Sequence, residues 1–267
     1  MKFDLHCHIK GGSIDSRVSM DRYIEILRQQ GFGGMLVTDH DSYKAFDAYQ
    51  KKRESAIPPS SRKDDGDFVV LCGIEYDTRD AGHFLVIMPD EVRLSLLTIR
   101  GMSIEELIQV VHRFGGILGP AHPYGAKSSS SMFTFKMRRK PQLIFLFDFV
   151  EGFNTCELPI RNRMAVRLAD RHHLPCIGGS DAHCEKHVGT AYTDFSAPIR
   201  SNNDLIRCIK ERKIRSFGGT ERIPRFRNRF RYIFPATLAF KAFNRSLSLL
   251  FARKRNMHLQ NAMYEHL

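Results

Sequence analysis

Residues able to bind metal recur at strand-like spacing. His6 and His8 sit in Asp4-Leu5-His6-Cys7-His8, and Asp181 and His183 sit in Gly179-Ser180-Asp181-Ala182-His183. Along an extended strand, side chains two apart point the same way, so each pair projects two ligand groups in one direction. The pairs are far apart in sequence, and a single site brought together by the fold accounts for both. Further candidates lie near strand ends. His40 follows Gly34-Met35-Leu36-Val37-Thr38-Asp39, Glu75 ends Phe68–Ile74, His83 opens Gly82–Met88, and His122 follows Gly116–Ala121. Asp15 lies in the polar loop after the first strand. Imidazoles mixed with carboxylates suit Zn, Mn or Fe rather than Mg or Ca. Nine such groups exceed the needs of one ion, so two or three divalent transition metals are expected.

In their order along the chain, Asp4-Leu5-His6-Cys7-His8, Thr38-Asp39-His40-Asp41, Gly73-Ile74-Glu75, Gly82-His83, Ala121-His122-Pro123 and Ser180-Asp181-Ala182-His183 resemble the motifs of the PHP (polymerase and histidinol phosphatase) family. The resemblance runs through roughly residues 1–220. It implies a distorted (β/α)7 barrel with a metal centre for phosphoester hydrolysis at its strand ends. His6, His8, Glu75 and Asp181 would hold the first metal. Glu75 would bridge to a second, completed by His83 and His122, and Asp15, His40 and His183 would hold a third. Glu75, Asp181 and His183 would be the catalytic members. Asp15 departs from the usual spacing, lying two residues further from His6.

The elements that must carry these groups are visible as alternating strand and helix signals, which favour an α/β fold with a parallel sheet. Helices are predicted at Met20–Gln30, Tyr43–Lys52, from the Ser103/Glu106 capping box to Phe114, at Glu157–His172 and at Asp204–Lys213. Polar insertions interrupt them at Ile57–Asp67 and Lys127–Lys140. Phe147–Glu151 reads as a strand, and Ile214–Gly218 follows the last helix. Glu151 and Asn154 either line the site or cap a helix. Asp39 and Asp41 flank His40 and should point away from it on an extended segment, and either is a candidate to orient a ligating imidazole.

The chain has 267 residues, room for a large core, and a net charge of +12. Residues 201–267 hold 15 Lys and Arg against 4 Asp and Glu, a net of +11. Residues 221–267 are therefore read as a basic, helical C-terminal extension of a domain spanning 1–220. On a helix from Ala236 to Ala252, Phe240, Phe243, Leu247, Leu250 and Phe251 share one face, with Lys241, Arg245 and Ser248 opposite. Such a tail suits an anionic membrane surface or nucleic acid. The competing reading is a helix docked on its own barrel. No stretch of the tail approaches the roughly 20 apolar residues of a transmembrane span. Six cysteines without Cys-x-x-Cys spacing predict free thiols in a reducing compartment. Asp4 and His6 interrupt any apolar leader, so the expected location is cytoplasmic, at a membrane periphery if the tail binds one.

The expected reaction is hydrolysis of a small phosphorylated metabolite or nucleotide by a metal-activated water. The alternatives are a nuclease acting on polynucleotide diesters, or a non-catalytic metal-binding protein recruited by its tail. Lys10, Lys127, Arg161, Arg163 and Lys186 are candidates to hold the phosphate. The imidazoles must be neutral to ligate, so activity is expected to fall at low pH.

Overall fold

The computed structural model describes residues 1–56, 68–125, 130–221, 242–243 and 246–264. Strand β1 (Lys2–Cys7) pairs in parallel with β2 (Gly34–Val37), and β2 with β3 (Val69–Thr78). The chain then turns through Arg79-Asp80-Ala81 into β4 (Gly82–Ile87), antiparallel to β3, and β4 pairs antiparallel with β5 (Ile117–Pro120). Next to β5 comes β6 (Val150–Asn154), linked to it where Asp148 N donates to Leu118 O at 2.9 Å, and β6 pairs in parallel with β7 (Cys176–Gly179). Past β7 the chain returns to β1: Asp181 N donates to His6 O at 2.9 Å and Cys7 bridges Ala182. Seven strands thus curl into a distorted barrel. The other half of β1 continues the sheet into β8 (Ala191–Phe195) and β9 (Ile214–Gly219), both pairings antiparallel.

The sheet is mixed, not parallel as the alternation of signals suggested. The three-residue link between β3 and β4 is far too short for the crossover a parallel pair needs. That hairpin has a consequence for the site. It brings the start of β4, with His83, to the same end of the barrel as the end of β3, with Glu75.

Helices α1 (Met20–Gln29), α2 (Lys44–Ala56), α3 (Ile104–Arg113), α4 (Phe135–Arg139), α5 (Pro159–His172), α6 (Asn202–Lys210) and α7 (Ala252–Tyr264) accompany the strands. The Ser103/Glu106 capping box is formed at the start of α3. One buried cluster draws Phe3 and Leu5 from β1, Leu36, Leu71, Leu85, Ile117 and Ile177 from the next strands, and Leu205, Ile206 and Ile209 from α6. A second takes the other strand faces, with Cys7, Val37, Ile74, Phe84 and Leu118, and packs them on α1 and α3. Each such Leu, Ile or Phe contributes roughly 1.5–3 kcal/mol by leaving water. Between Asp4 and Cys7 the register of β1 against β2 shifts, so Leu5 joins the first cluster while Cys7, two residues on, joins the second.

Residues 236–241 and 244–245 of the tail helix expected at Ala236–Ala252 lie outside the described residues, as does the Ile57–Asp67 insertion. Where the tail is described, Ser248 is buried while Phe243, Leu249, Leu250 and Phe251 are exposed. Leu259 and Ala262 of α7 pack on the second cluster. Among the described residues no helix is long and apolar enough to cross a membrane. All six cysteines are free.

Asp4 ties β1 to the segment after β7. Its fully buried carboxylate accepts from Ser180 N at 2.9 Å, Ser180 Oγ at 2.6 Å and Tyr23 OH at 3.1 Å. Asp4→Ala strands these buried donors at about 1–3 kcal/mol each. The expected loss is about 3 kcal/mol or more of unfolding free energy, read as a lower urea midpoint. An unchanged midpoint would show that water replaces the carboxylate and that the tie is dispensable.

Candidate metal centre

All nine candidate ligands gather at one end of the barrel. They come from β1 (His6, and His8 just past it), the loop after β1 (Asp15), the segment after β2 (His40), β3 (Glu75), β4 (His83) and the segments after β5 (His122) and β7 (Asp181, His183). Parallel strands deliver their C-terminal ends there, and the hairpin adds β4. Six imidazoles pack against one another: His8 lies 4.6 Å from His40 and 4.3 Å from His183 between ring centroids, and His83 lies 5.6 Å from His122.

Glu75 is the centre of the arrangement, 1% exposed. Its Oε1 lies 2.8 Å from His83 Nδ1 and 2.9 Å from His122 Nε2. Its Oε2 lies 3.4 Å from His6 Nε2, 3.3 Å from His8 Nε2 and 3.0 Å from His40 Nδ1. One carboxylate therefore faces two groups of imidazoles with different oxygens. Asp181 Oδ1 completes one side, 3.2 Å from His8 Nε2 and 3.7 Å from His6 Nε2. Asp15 Oδ2 reaches His183 Nε2 at 3.0 Å and His40 Nε2 at 3.7 Å, so its unusual spacing does not remove it from the cluster. Three subsets bring their ligand atoms close enough to share an ion: His6, His8 and Asp181; His40, Glu75 and His83; and His8, His40 and His183.

Charge dominates the chemistry here. Burial works against ionising Glu75, yet His83, His40 and His6 hold its pKa well below the usual carboxylate range. Burial also opposes protonation of His8, but Asp181 and Glu75 raise it to about 9. For His83 the same competition, won by Glu75, again ends at about 9. His40 goes the other way, lowered chiefly by burial. Glu75 Oε2 is buried and makes no hydrogen bond, even though three imidazole nitrogens surround it. An unsatisfied buried carboxylate oxygen is costly, and a cation shared with those nitrogens removes the cost. The mixed imidazole and carboxylate donors match Zn, Mn or Fe, so the residues present fit the expected group.

The backbone is strained where candidate ligands are presented. His122 has φ 30° and Asp181 has φ 52°, and Asp41, next to His40, has φ 45°. Left-handed conformations cost roughly 1–2 kcal/mol in residues with a side chain. Each is held by a specific acceptor: His122 N donates to Glu151 Oε2 at 2.6 Å, Asp181 N to His6 O at 2.9 Å and Asp41 N to Glu75 O at 3.1 Å. Gly179 is needed for close approach, since a Cβ there would sit 2.3 Å from His6 Cβ.

Glu151 and Asn154, both buried, line the site and do not cap a helix. Glu151 Oε1 meets His6 Nδ1 at 2.8 Å, and Asn154 Nδ2 donates to Glu151 Oε2 at 3.1 Å and Asp181 Oδ2 at 3.3 Å. Asp39 turns away from His40, as expected, and supports His8 through Ser13: Ser13 Oγ donates to Asp39 Oδ1 at 2.8 Å and meets His8 Nδ1 at 3.0 Å. Ser13 has no sequence signal that would have singled it out. Asp77 was also missed, though it stands two residues past Glu75 on the same strand face, and its Oδ1 lies 3.6 Å from His83 Nε2. Of the cations proposed to hold phosphate, Lys10 and Lys186 are exposed close behind His8 and His183. Arg161 lies over the Phe133 ring at 5.0 Å, Arg163 faces Glu221 at 3.9 Å, and Lys127 lies outside the described residues.

Glu151 fixes both the His6 ring and the His122 backbone. Glu151→Gln is expected to weaken Zn binding by about 10–100-fold, as loss of a ligand-orienting carboxylate does. Chelator competition on the purified variant measures this; wild-type affinity would mean that His6 needs no carboxylate behind it.

Residues 159–214, from α5 to the start of β9, match a family model described as PHP-associated. No curated protein matches the chain. Among solved structures, PsfC from Pseudomonas syringae shares the fold with a TM-score of 0.61 at 16% identity, covering 92% of this chain and 98% of that one. A two-domain protein from Bacteroides vulgatus containing a predicted PHP-like metal-dependent phosphoesterase gives 0.58 at 19%, covering 80% of this chain and 63% of that one. The lesion-specific endonuclease Q of Pyrococcus furiosus gives 0.56 at 20%, covering 83% and 60%. The last two are thus longer proteins, of which this chain matches less than two thirds. These likenesses show the fold, and the matched segment together with the ordered motifs around Glu75 agrees with the PHP resemblance seen in the sequence.

Proposed function

We propose that the chain is a metal-dependent phosphoesterase that hydrolyses a small phosphorylated metabolite or nucleotide. The observation that carries this reading is the division of Glu75, whose two oxygens face separate imidazole groups 2.8–3.4 Å away. On this reading His6, His8, Glu75 and Asp181 hold one divalent transition metal, Zn, Mn or Fe. Glu75, His83 and His122 hold a second, and Asp15, His40 and His183 a third. Such ions, when bound, neutralise phosphate oxygens and lower the pKa of a water toward about 7.

The remaining chemistry belongs to the side chains. Glu75 sets the separation of the two groups it joins. His6 and His8 are wholly buried, whereas the His40 and His183 side chains are 23% exposed and that of Asp15 is 56% exposed. Substrate therefore approaches from the side of Asp15, His40 and His183. Among the described residues the hydroxyl and thiols nearest the cluster are engaged: Cys7 Sγ is buried and directed to Asp4 O at 3.3 Å, Cys156 Sγ is directed to Asp181 O at 3.3 Å, and Ser13 Oγ is engaged by His8 and Asp39. Attack by water follows.

Elemental analysis after Mn or Zn reconstitution should give two to three ions per chain. Single-turnover hydrolysis in heavy-oxygen water should place one heavy oxygen in the released phosphate. A single ion, or a trapped phosphorylated residue, would sink the reading. Glu75→Ala should lose more metal and more activity than Asp15→Ala, because Glu75 serves two groups and Asp15 one. A nuclease is the second reading, favoured by the net +11 of residues 201–267. Monoesters, dinucleotides and single-stranded DNA or RNA, assayed in parallel, decide between the two.

The tail fits an anionic membrane surface. Phe243, Leu249, Leu250 and Phe251 stand exposed near Arg253 and Lys254. Leu249→Asp with Leu250→Asp should abolish binding to anionic vesicles, and added salt should weaken the wild-type interaction. Binding to nucleic acid that survives the double substitution would point to that partner instead.

A further inference from the structure

The C-terminal segment meets the barrel next to the metal centre. Arg255, on α7, is only 4% exposed. Its Nη1 donates to Arg100 O and to Ser248 O, each at 2.9 Å. Gly101 makes room for this contact. With φ +94°, it would place a Cβ 2.1 Å from Ser248 Oγ and 2.9 Å from Arg255 Nη1. The Arg100–Gly101 peptide is thus clamped from the tail side, while Gly101 N donates to Asp77 O at 3.0 Å on the barrel side.

Arg100 extends the contact inward. Its Nε and Nη2 donate to Asp41 Oδ2 at 3.0 and 2.8 Å, and its Nη1 lies 3.6 Å from Asp77 Oδ2. Asp41 Oδ1 in turn accepts from Asp77 N at 3.0 Å. Both acids are neighbours of the cluster. Asp41 follows His40 directly, and Asp77 pairs with His83 across the β3–β4 ladder, its Oδ1 3.6 Å from His83 Nε2. The opposite ring nitrogen, Nδ1, is the one that meets Glu75 at 2.8 Å. An imidazole that ligates through one nitrogen is oriented by the carboxylate at the other.

We propose that Arg255 is a positioning residue of the metal centre: by fixing the main chain at Arg100, it holds the guanidinium that sets Asp41 and Asp77, and through Asp77 the orientation of His83. The inference rests on the metal-binding reading above. It makes the tail part of the site's support as well as a surface for partners. A merely structural clamp would lower stability without changing how metal is held.

The full-length chain tests this with Arg255→Met, Arg255→Lys and Arg100→Met, followed by Zn affinity from chelator competition, the visible spectrum of the Co-substituted protein, and thermal unfolding. Arg255→Met should fold, bind Zn about tenfold more weakly and shift the Co spectrum. Arg255→Lys, whose ammonium can serve both carbonyls, should restore both readouts. Arg100→Met should reproduce the loss, and the double variant should be no worse than Arg100→Met alone, since residues in one chain of contacts do not act additively. If Arg255→Met does not fold, Arg255→Gln takes its place with the same expectation. Wild-type affinity and spectrum in a folded Arg255→Met or Arg255→Gln variant would overturn the inference, as would fully additive losses. A wild-type chain that holds no metal would overturn the underlying reading first, and this inference with it.

Discussion

Burial of the Glu75 carboxylate among imidazoles is the constraint on which the rest of the structure depends. Taking a carboxylate out of water costs several kcal/mol unless polar or cationic partners surround it. Glu75 meets that cost with five histidines at distances of 2.8–3.4 Å. Those histidines come from β1 to β5 and the segments just after them, so satisfying one side chain requires the strands to be in register at one end. The same grouping that satisfies the carboxylate leaves its second oxygen without a hydrogen bond. Fold and metal affinity are here two aspects of one electrostatic requirement.

The barrel answers that requirement with an uneven sheet. A uniformly parallel arrangement would leave the start of β4 at the far end and His83 out of reach of Glu75. The tight β3–β4 hairpin removes that difficulty, and the shift in β1 between Asp4 and Cys7 lets the strand carry core residues and two ligands in a short span. Local strain accompanies this. The positive φ values at Asp41, His122 and Asp181 all fall at or beside candidate ligands, and each backbone amide is tied to the cluster or its supports. Removing the carboxylates and carbonyls that hold them would leave these residues free to relax, so the ligand geometry and its supports are interdependent.

Much of this was legible in the sequence, for a physical reason. Ligands on strands repeat at spacing two, and strand ends are marked by Gly, Pro and polar residues, so His6, His8, His40, Glu75, His83, His122, Asp181 and His183 could be picked out one by one. The structure brings all of them together. Sheet direction was not legible, because short apolar runs carry no record of which neighbour they pair with. The supports were only partly so. Glu151 and Asn154 carried two readings, and Asp77 shares the strand face of Glu75 without a motif of its own. Ser13 and Arg100 act through tertiary contacts that no local pattern encodes. The tail illustrates the same limit. Its amphipathic pattern identified an apolar face, but not that Ser248 and Arg255 would turn toward the barrel and leave Leu249 and Leu250 outward.

Asp15 shows how spacing can mislead while topology holds. The loop after β1 does not run straight to it. Gly12 N and Ser13 N both return to Ile9 O at 3.0 Å, making a tight turn that sets Ser13 Oγ against His8 and Asp39. The longer excursion is then gathered back, with Lys10 N donating to Val18 O at 2.8 Å and Arg17 N to His183 O at 3.1 Å. The latter bond binds the loop to the segment that carries His183, the residue Asp15 contacts at 3.0 Å. The extra residues are consumed by the turn that steadies His8, and the loop still ends beside its partner. What places a ligand in this fold is the set of bonds that close the loop, not the count of residues within it.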